Sequence, residues 1–233
     1  MDVSEIEVIG FNWDGNLVNS MITKSKRFAE SIIKCYEFKH PDLEKNRKEI
    51  EELYLNTRGT LRIKQLELVQ EGYNLERLNE ADLKKWSDSF TDSYLKNKLP
   101  LFKDTLPVLN ELKKRSYRLF SCSPVPKDDL DRTLRDYPEV KELLDFVLGT
   151  RKDEDFKKGA YHLQYASDYY NHLPFEKIAF VTQAVDDIID ANKVGCFSIA
   201  RADPKIKNSK EQLGQHNPKL IIENLRELLD HFK

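Results

Sequence analysis

The sequence has little cysteine, and no spacing in it would bring cysteines together. Its 233 residues include three cysteines, Cys35, Cys122 and Cys196, and no CxxC pair. An odd number of widely separated thiols predicts neither a disulfide framework nor a zinc knuckle. We therefore expect the protein to work in a reducing compartment, the cytoplasm.

Long apolar runs and an excess of charge of one sign are also missing. No stretch approaches the roughly 20 apolar residues of a membrane-spanning helix. The first residues, MDVSEIEVIGF, contain no basic segment followed by an apolar one, so no signal peptide is predicted. The chain has 38 basic and 40 acidic residues, and its formal net charge of -2 gives no field that would attract nucleic acid. We therefore expect neither nucleic acid nor a membrane as a partner.

What the sequence does contain is an alternation of short apolar runs with helical patterns. The predicted strands are Ile6–Phe11, Tyr117–Ser121, Asp145–Leu148, Lys177–Val181, Cys196–Ile199 and Leu220–Ile222. The predicted helices among them are Thr105–Arg115, Val185–Lys193, which Gly195 would end, and Glu223–His231. This alternation predicts an α/β protein with a Rossmann-like parallel sheet core and helices on both faces.

Residues 21–100 have a different pattern, rich in Lys, Glu and Leu and almost entirely amphipathic helix. Because this stretch is too long for a simple crossover, we predict a helical cap subdomain inserted into a core of residues 1–20 and 101–233. One large, irregular crossover within a single domain is the alternative. The recurrence of Trp86, Phe90 and Tyr94 at helical spacing predicts a subdomain core rather than a ligand platform.

The residues after the first predicted strand resemble a known motif. The stretch FNWDGNLVNS, from Phe11 to Ser20, is similar to the DxDGTLVDS motif of haloacid dehalogenase-like (HAD) phosphatases. Three further similarities follow in order: LFSCSP with Ser121, FKKG with Lys158 (or Lys157), and TQAVDD, which resembles GDSxxD and ends at Asp187. The resemblance spans nearly the whole chain, and the helical insert stands where one class of this family has its cap.

The resemblance implies phosphate-ester hydrolysis through an aspartyl-phosphate. It puts Asn12 at the nucleophile position and Asp14 at the position of the general acid and base. It puts Ser121 and Lys158 at phosphate-binding positions and Asp187 at the Mg²⁺ site. The resemblance also implies Mg²⁺ as the cofactor and a small phosphorylated metabolite as the ligand.

Several of these positions depart from the family pattern. A carboxamide at Asn12 offers no anionic oxygen to attack phosphorus, and Gln183 replaces a metal-binding acid of the fourth motif. Thr182 stands for the usual Gly and Asn16 for the usual Thr. The loss of about two negative charges predicts that Mg²⁺ binding is weakened or lost, because charge count tunes affinity for hard cations.

Other interpretations exist for the remaining candidates. Asp14 beside Gly15 would suit an ordinary turn, and Ser121 would suit a helix cap. Lys158 lies in a charged run typical of solvated surface, and Asp187 would also suit the N-terminus of its helix. In the cap, Arg58 of NTRGT would suit bidentate recognition of a phosphate, or else an ordinary interhelical loop. Asp186 is predicted as a surface charge.

The sequence therefore leaves two functions open. The favoured one is a HAD phosphatase-like protein that is catalytically inactive or severely impaired and acts by binding a ligand or a partner. The alternative is a Mg²⁺-dependent phosphohydrolase acting on a small phosphorylated metabolite. An interaction role of the helical subdomain is a third hypothesis, but the sequence indicates no protein partner.

Overall fold

A computed structural model of the chain describes residues 3–36, 40–95, 98–150 and 160–233. The chain divides into two compact units. The first consists of Met1–Asn19 and Pro100–Lys233, and the second of Ser20–Leu99. In the residues described, no helix is long and apolar enough to span a bilayer.

The first unit is built on a parallel sheet, as the alternation of apolar runs predicted. Its strands are β1 (Val8–Asn12), β2 (Arg118–Pro126), β3 (Phe146–Thr150), β4 (Ile178–Thr182), β5 (Phe197–Arg201) and β6 (Leu220–Ile222). The strand order is β3-β2-β1-β4-β5-β6, and each neighbouring pair is parallel. The chain winds outward from β1 on one side and from β4 on the other, so a topological switch point lies between β1 and β4.

The helices of this unit lie between its strands and after the last one. They are α5 (Thr105–Lys114), α6 (Lys127–Leu134), α7 (Pro138–Leu143), α8 (Ala160–Tyr169), α9 (Val185–Val194), α10 (Ser209–Gly214) and α11 (Leu228–His231). A buried cluster joins α8 and α9 to one face of the sheet through Leu163, Ala166 and Ala191 against Val8 and Phe180. The Rossmann-like α/β fold class is thus confirmed.

Some boundaries differ from the predicted ones for local reasons. Strand β2 was predicted to end at Ser121 but continues to Pro126, with a register shift against β3 after Cys122. The predicted helix Glu223–His231 instead begins with a 3-10 turn at Leu225, because Asn224 and Glu227 form a capping box there. Gly195 ends α9 as predicted, with a φ of +93°.

A glycine in the central strand lets two aromatic rings meet across it. Gly10 pairs with Phe120 of β2 and with Phe180 of β4. These two rings are stacked, with centroids 6.3 Å apart. A Cβ on Gly10 would stand 2.2 Å from Cζ of Phe120. The sheet core at β1 therefore requires glycine at this position, because native interiors have no spare volume for a methyl group.

Gly10→Ala is expected to destabilise the protein by about 1–3 kcal/mol, the usual cost of overpacking a core. The measurement is the free energy of unfolding in urea. Gly72→Ala is the matched control, because a Cβ on that exposed helical glycine would meet nothing within 4 Å. The control should be neutral or slightly stabilising. Equal stability of the Gly10→Ala variant and the unmodified chain would contradict the packing described.

The second unit is helical, with α1 (Met21–Tyr36), α2 (Arg47–Asn56), α3 (Arg62–Gly72) and α4 (Glu80–Leu95). Its core is aromatic: Phe28 lies against Tyr54, Trp86 and Phe90, with ring centroids 4.9, 6.0 and 6.1 Å away. Trp86 and Phe90 are 3% and 2% exposed, so these two side chains belong to the core of the unit. The side chain of Tyr94, predicted with them, lies outside the described part of the chain.

Candidate functional site

Several of the polar residues that the sequence singles out lie at the carboxyl edge of the sheet, where β1 and β4 end. Phe11 of β1 pairs with Val181 of β4, so the next residues, Asn12 and Thr182, lie side by side at the ends of these two strands. Both side chains are buried, at 3% and 0% exposure. In open α/β sheets the crevice at such a switch point is the usual ligand site.

A tight turn carries the chain away from β1. The amide of Trp13 donates to the carbonyl of Cys122, and the amide of Leu17 donates back to the carbonyl of Trp13. Gly15 has a φ of +74°, a conformation that favours glycine. A Cβ there would stand 2.3 Å from Nε2 of Gln183, so the turn and the Gln183 carboxamide are in close contact.

The carboxylate of Asp187 is held by two side chains from the strand ends. Thr182 Oγ1 donates to Asp187 Oδ2 at 2.7 Å, and Asn12 Nδ2 donates to the same oxygen at 3.4 Å. The Thr182 hydroxyl also accepts from the amide of Ala184 at 3.0 Å, just before α9 begins. Asp187 is 2% exposed, so these donors offset a charge that burial would otherwise make costly.

The backbone carbonyl of Asp14 receives a second pair of donors. Gln183 Nε2 and Asn16 Nδ2 each lie 3.4 Å from this oxygen. The Asp14 side chain is 7% exposed, and Asn16 is fully buried. We call the side chains that donate to Asp14 and Asp187 the donor set: Asn12, Asn16, Thr182 and Gln183.

The residues of this edge do not fit Mg²⁺, which the family resemblance implies. A hard cation needs oxygen ligands, whereas the donor set turns N–H and O–H groups toward the Asp14 carbonyl and the Asp187 carboxylate. Asp14 and Asp187 are carboxylates, but within the described residues no three His, Cys, Asp or Glu side chains cluster so as to hold a metal.

A buried arginine supports the turn after β1. Arg201, at the end of β5, donates to the carbonyl of Asn16 and forms an ion pair with Asp104 at 3.5 Å. Its guanidinium also lies over the ring of Phe102, 3.7 Å from the centroid. Burial lowers the pKa of Arg201, and the Asp104 charge opposes that shift. The Arg201 side chain, which is 4% exposed, thus connects the end of β5 to the turn after β1.

The structure brings together only some of the predicted site residues. Asn12 and Asp187 are hydrogen-bonded to each other, and Gln183 is hydrogen-bonded to the backbone carbonyl of Asp14. The hydroxyl of Ser121 lies elsewhere: it donates to the Phe11 carbonyl at 2.9 Å inside the sheet. Since Ser121 pairs with Phe11 and Cys122 with Asn12, Ser121 points to the face opposite Asn12.

The remaining predicted residues are Lys158, Arg58 and Asp186. Lys158 and its alternative Lys157 lie outside the described residues. Arg58 belongs to the helical unit, where it is 4% exposed and donates to the carbonyl of Leu55 at 2.8 Å. Asp186 is exposed on α9.

Sequence reasoning missed three buried polar residues at or near this edge. Thr182 was interpreted only as a departure from Gly, although a hydroxyl five residues before Asp187 can reach that carboxylate once β4 turns into α9. Ser123 lies two residues beyond Ser121, is fully buried, and accepts from the amide of Val125. Arg201 had no sequence signal, because its partner Asp104 is 97 positions away in the chain.

The six-stranded parallel sheet, its strand order and the additional helical unit define the fold of haloacid dehalogenase-like proteins. A predicted phosphoglycolate phosphatase from Haemophilus somnus 129PT aligns with a TM-score of 0.76 and 21% identity, over 98% of this chain and 99% of that one. A haloacid dehalogenase-like hydrolase from Streptococcus pneumoniae aligns with a TM-score of 0.72 and 17% identity, over 98% and 99%.

A haloacid dehalogenase-like protein of unknown function from Agrobacterium tumefaciens gives a TM-score of 0.73 at 16% identity, over 97% of this chain and 96% of that one. Neither a family model nor a curated protein sequence matches the chain. At these identities the structural likeness establishes the fold, and the activity has to be argued from the site.

Proposed function

We propose that this protein is a HAD phosphatase-like protein that does not turn over phosphate esters and instead binds a small phosphorylated ligand at the carboxyl edge of its sheet. One observation carries the proposal. The residue at the end of the central strand β1 is Asn12, whose carboxamide donates to Asp187. A neutral amide has no anionic oxygen that could form an acyl-phosphate.

The ligand class rests on the fold. The structural neighbours include a predicted phosphoglycolate phosphatase, and ligands of such sheets bind beyond the carboxyl ends of the strands. We assign the phosphate-binding role to Lys158 and to a serine of β2, either Ser121 or Ser123. Arg58 is our candidate for selecting the ligand in the helical unit, since guanidinium suits phosphate and carboxylate groups.

The alternative function, a Mg²⁺-dependent phosphohydrolase, is favoured by the two carboxylates that remain, Asp14 and Asp187. A carboxylate two residues after Asn12 would be able to serve as acid and base. This function would still need a nucleophile other than Asn12. In addition, the donor set is hydrogen-bonded to the two oxygens to which a cation would bind.

We expect the unmodified chain to hydrolyse p-nitrophenyl phosphate, phosphoglycolate and sugar phosphates no faster than its Asn12→Ala variant, with or without Mg²⁺. Deleting a working nucleophile costs about six orders of magnitude in kcat in a serine protease, whereas deleting an inert amide costs nothing. The measurement is phosphate release under saturating substrate. Binding of the same esters is followed by calorimetry.

Two results would contradict this proposal. The first is Mg²⁺-dependent phosphate release by the unmodified chain that Asn12→Ala abolishes, which would make Asn12 part of a working site. The second is the absence of any saturable binding of the esters to the unmodified chain. That second result would remove the ligand role while leaving the loss of turnover in place.

A further inference from the structure

The four departures from the family motifs lie in contact with the same two oxygens. Thr182 and Asn12 donate to Asp187 Oδ2, and Asn16 and Gln183 donate to the Asp14 carbonyl. Independent drift at an idle site would not be expected to place every new side chain as a donor. We infer that the donor set jointly replaces a divalent cation and makes this site one that is organised without metal.

Electrostatics gives the reason. A cation at this edge would neutralise the Asp187 carboxylate and be coordinated by the Asp14 carbonyl, and both of these groups are buried. Hydrogen bonds to a charged acceptor supply part of the same stabilisation, and Thr182, at 2.7 Å, makes the shortest of them. The three amide contacts, each at 3.4 Å, are long and individually weak. Their contribution to the stability of the site is therefore the sum of the three.

The orientation of the amides follows from their partners. Both the Asp14 carbonyl and the Asp187 carboxylate accept hydrogen bonds and cannot donate in the ionised form, so each amide must turn its nitrogen toward them. The amide oxygens therefore point away. Among the described residues no donor reaches Asn12 Oδ1 or Asn16 Oδ1, although both atoms are buried.

This orientation opposes metal binding directly. To offer oxygens to a cation bound at Asp14 and Asp187, the amides of Asn12 and Gln183 would have to rotate and give up their hydrogen bonds. Such a rotation would add neutral ligands where Mg²⁺ sites normally have charged ones. The site is therefore stable without a cation and insensitive to chelators.

The test is thermal unfolding of the full chain in EDTA and in millimolar Mg²⁺. We expect the Tm of the unmodified chain to be the same in both. Asn12→Asp sets a second carboxylate against Asp187, and like charges at this distance disfavour the folded state. Its Tm in EDTA should fall by about 3 °C or more, and Mg²⁺ should recover most of that loss, because a ligand of the native state stabilises it.

Two variants control this experiment. Asn110→Asp makes the same chemical change at an exposed position of α5, where it also removes the hydrogen bond from the amide to the Leu106 carbonyl, so a small loss of Tm but no response to Mg²⁺ is expected. Asn12→Ala removes a donor without adding charge, so a small loss of Tm without any Mg²⁺ response is expected.

A rise in the Tm of the unmodified chain with Mg²⁺ would overturn the inference, and so would an Asn12→Asp variant as stable in EDTA as the parent. Neither result depends on hydrolysis. Failure here is thus distinguishable from failure of the proposed function, which is decided by phosphate release and ester binding.

Discussion

Asn12→Asp combined with Gln183→Asp is expected to give the chain Mg²⁺-dependent phosphatase activity that the unmodified chain lacks. The first change supplies an anionic oxygen at the end of β1, and the second adds a charged ligand beside the Asp14 carbonyl. Asp187 is already present at 3.4 Å from the side chain of residue 12. The rebuilt edge would therefore offer Mg²⁺ the carboxylates of residues 12, 183 and 187 together with the Asp14 carbonyl, a set of ligands that suits this cation.

The expected size of this gain is large. Removing a nucleophile costs about 10⁶-fold in kcat in a serine protease, so restoring one should raise kcat/KM for p-nitrophenyl phosphate by at least about 100-fold over the unmodified chain. The remaining gap is expected because Thr182 and Asn16 still donate to Asp187 and Asp14. Reverting these two residues to Gly and Thr should increase the rate further.

The control for the activity gain is Asn110→Asp, which should leave phosphate release at the level of the unmodified chain. The gain of activity is judged by the dependence of phosphate release on Mg²⁺, so a phosphorylated side chain at position 12 does not have to be trapped. If the unmodified chain already releases phosphate as fast as the double variant, the carboxamide at residue 12 is not what prevents turnover.

Asp104→Ala is expected to destabilise the first unit by about 3–5 kcal/mol, because it removes the carboxylate that forms the ion pair with the buried Arg201. Asp104 forms the 3.5 Å ion pair with Arg201, and its Oδ2 also accepts from the amide of Leu225 at 2.6 Å. Both groups would lose a partner at once. The measurement is the free energy of unfolding in urea.

Two comparisons separate the loss of the Asp104 charge from the loss of its side-chain volume and hydrogen bond. Asp104→Asn keeps an acceptor for the Leu225 amide, and adding Arg201→Met removes the unpaired charge, so the double variant should be more stable than Asp104→Asn alone. Arg132→Ala breaks the exposed pair with Asp129 and should cost less than about 1 kcal/mol. A loss of similar size in Asp104→Ala and Arg132→Ala would show that the buried pair contributes little.

The candidate site was only partly predictable because motifs report residue types and not hydrogen-bond directions. The spacing of Asn12, Asp14 and Asp187 located the strand ends and the turn. It did not indicate that Thr182 donates to Asp187, which depends on how β4 turns into α9. Nor did it indicate that Gln183 packs on Gly15, which depends on how β4 lies beside β1. Ser121 shows the same limit, since its hydroxyl is used inside the sheet.

The sequence by itself determined the fold class, since apolar runs and amphipathic helices follow from local periodicity. It also determined that residue 12 is a neutral amide, because residue identity needs no structure. The tertiary structure decided the rest: the strand order that puts β1 beside β4, and the donors that converge on Asp14 and Asp187. Those contacts join residues up to 175 positions apart, and only the folded sheet brings such distant groups within hydrogen-bonding distance.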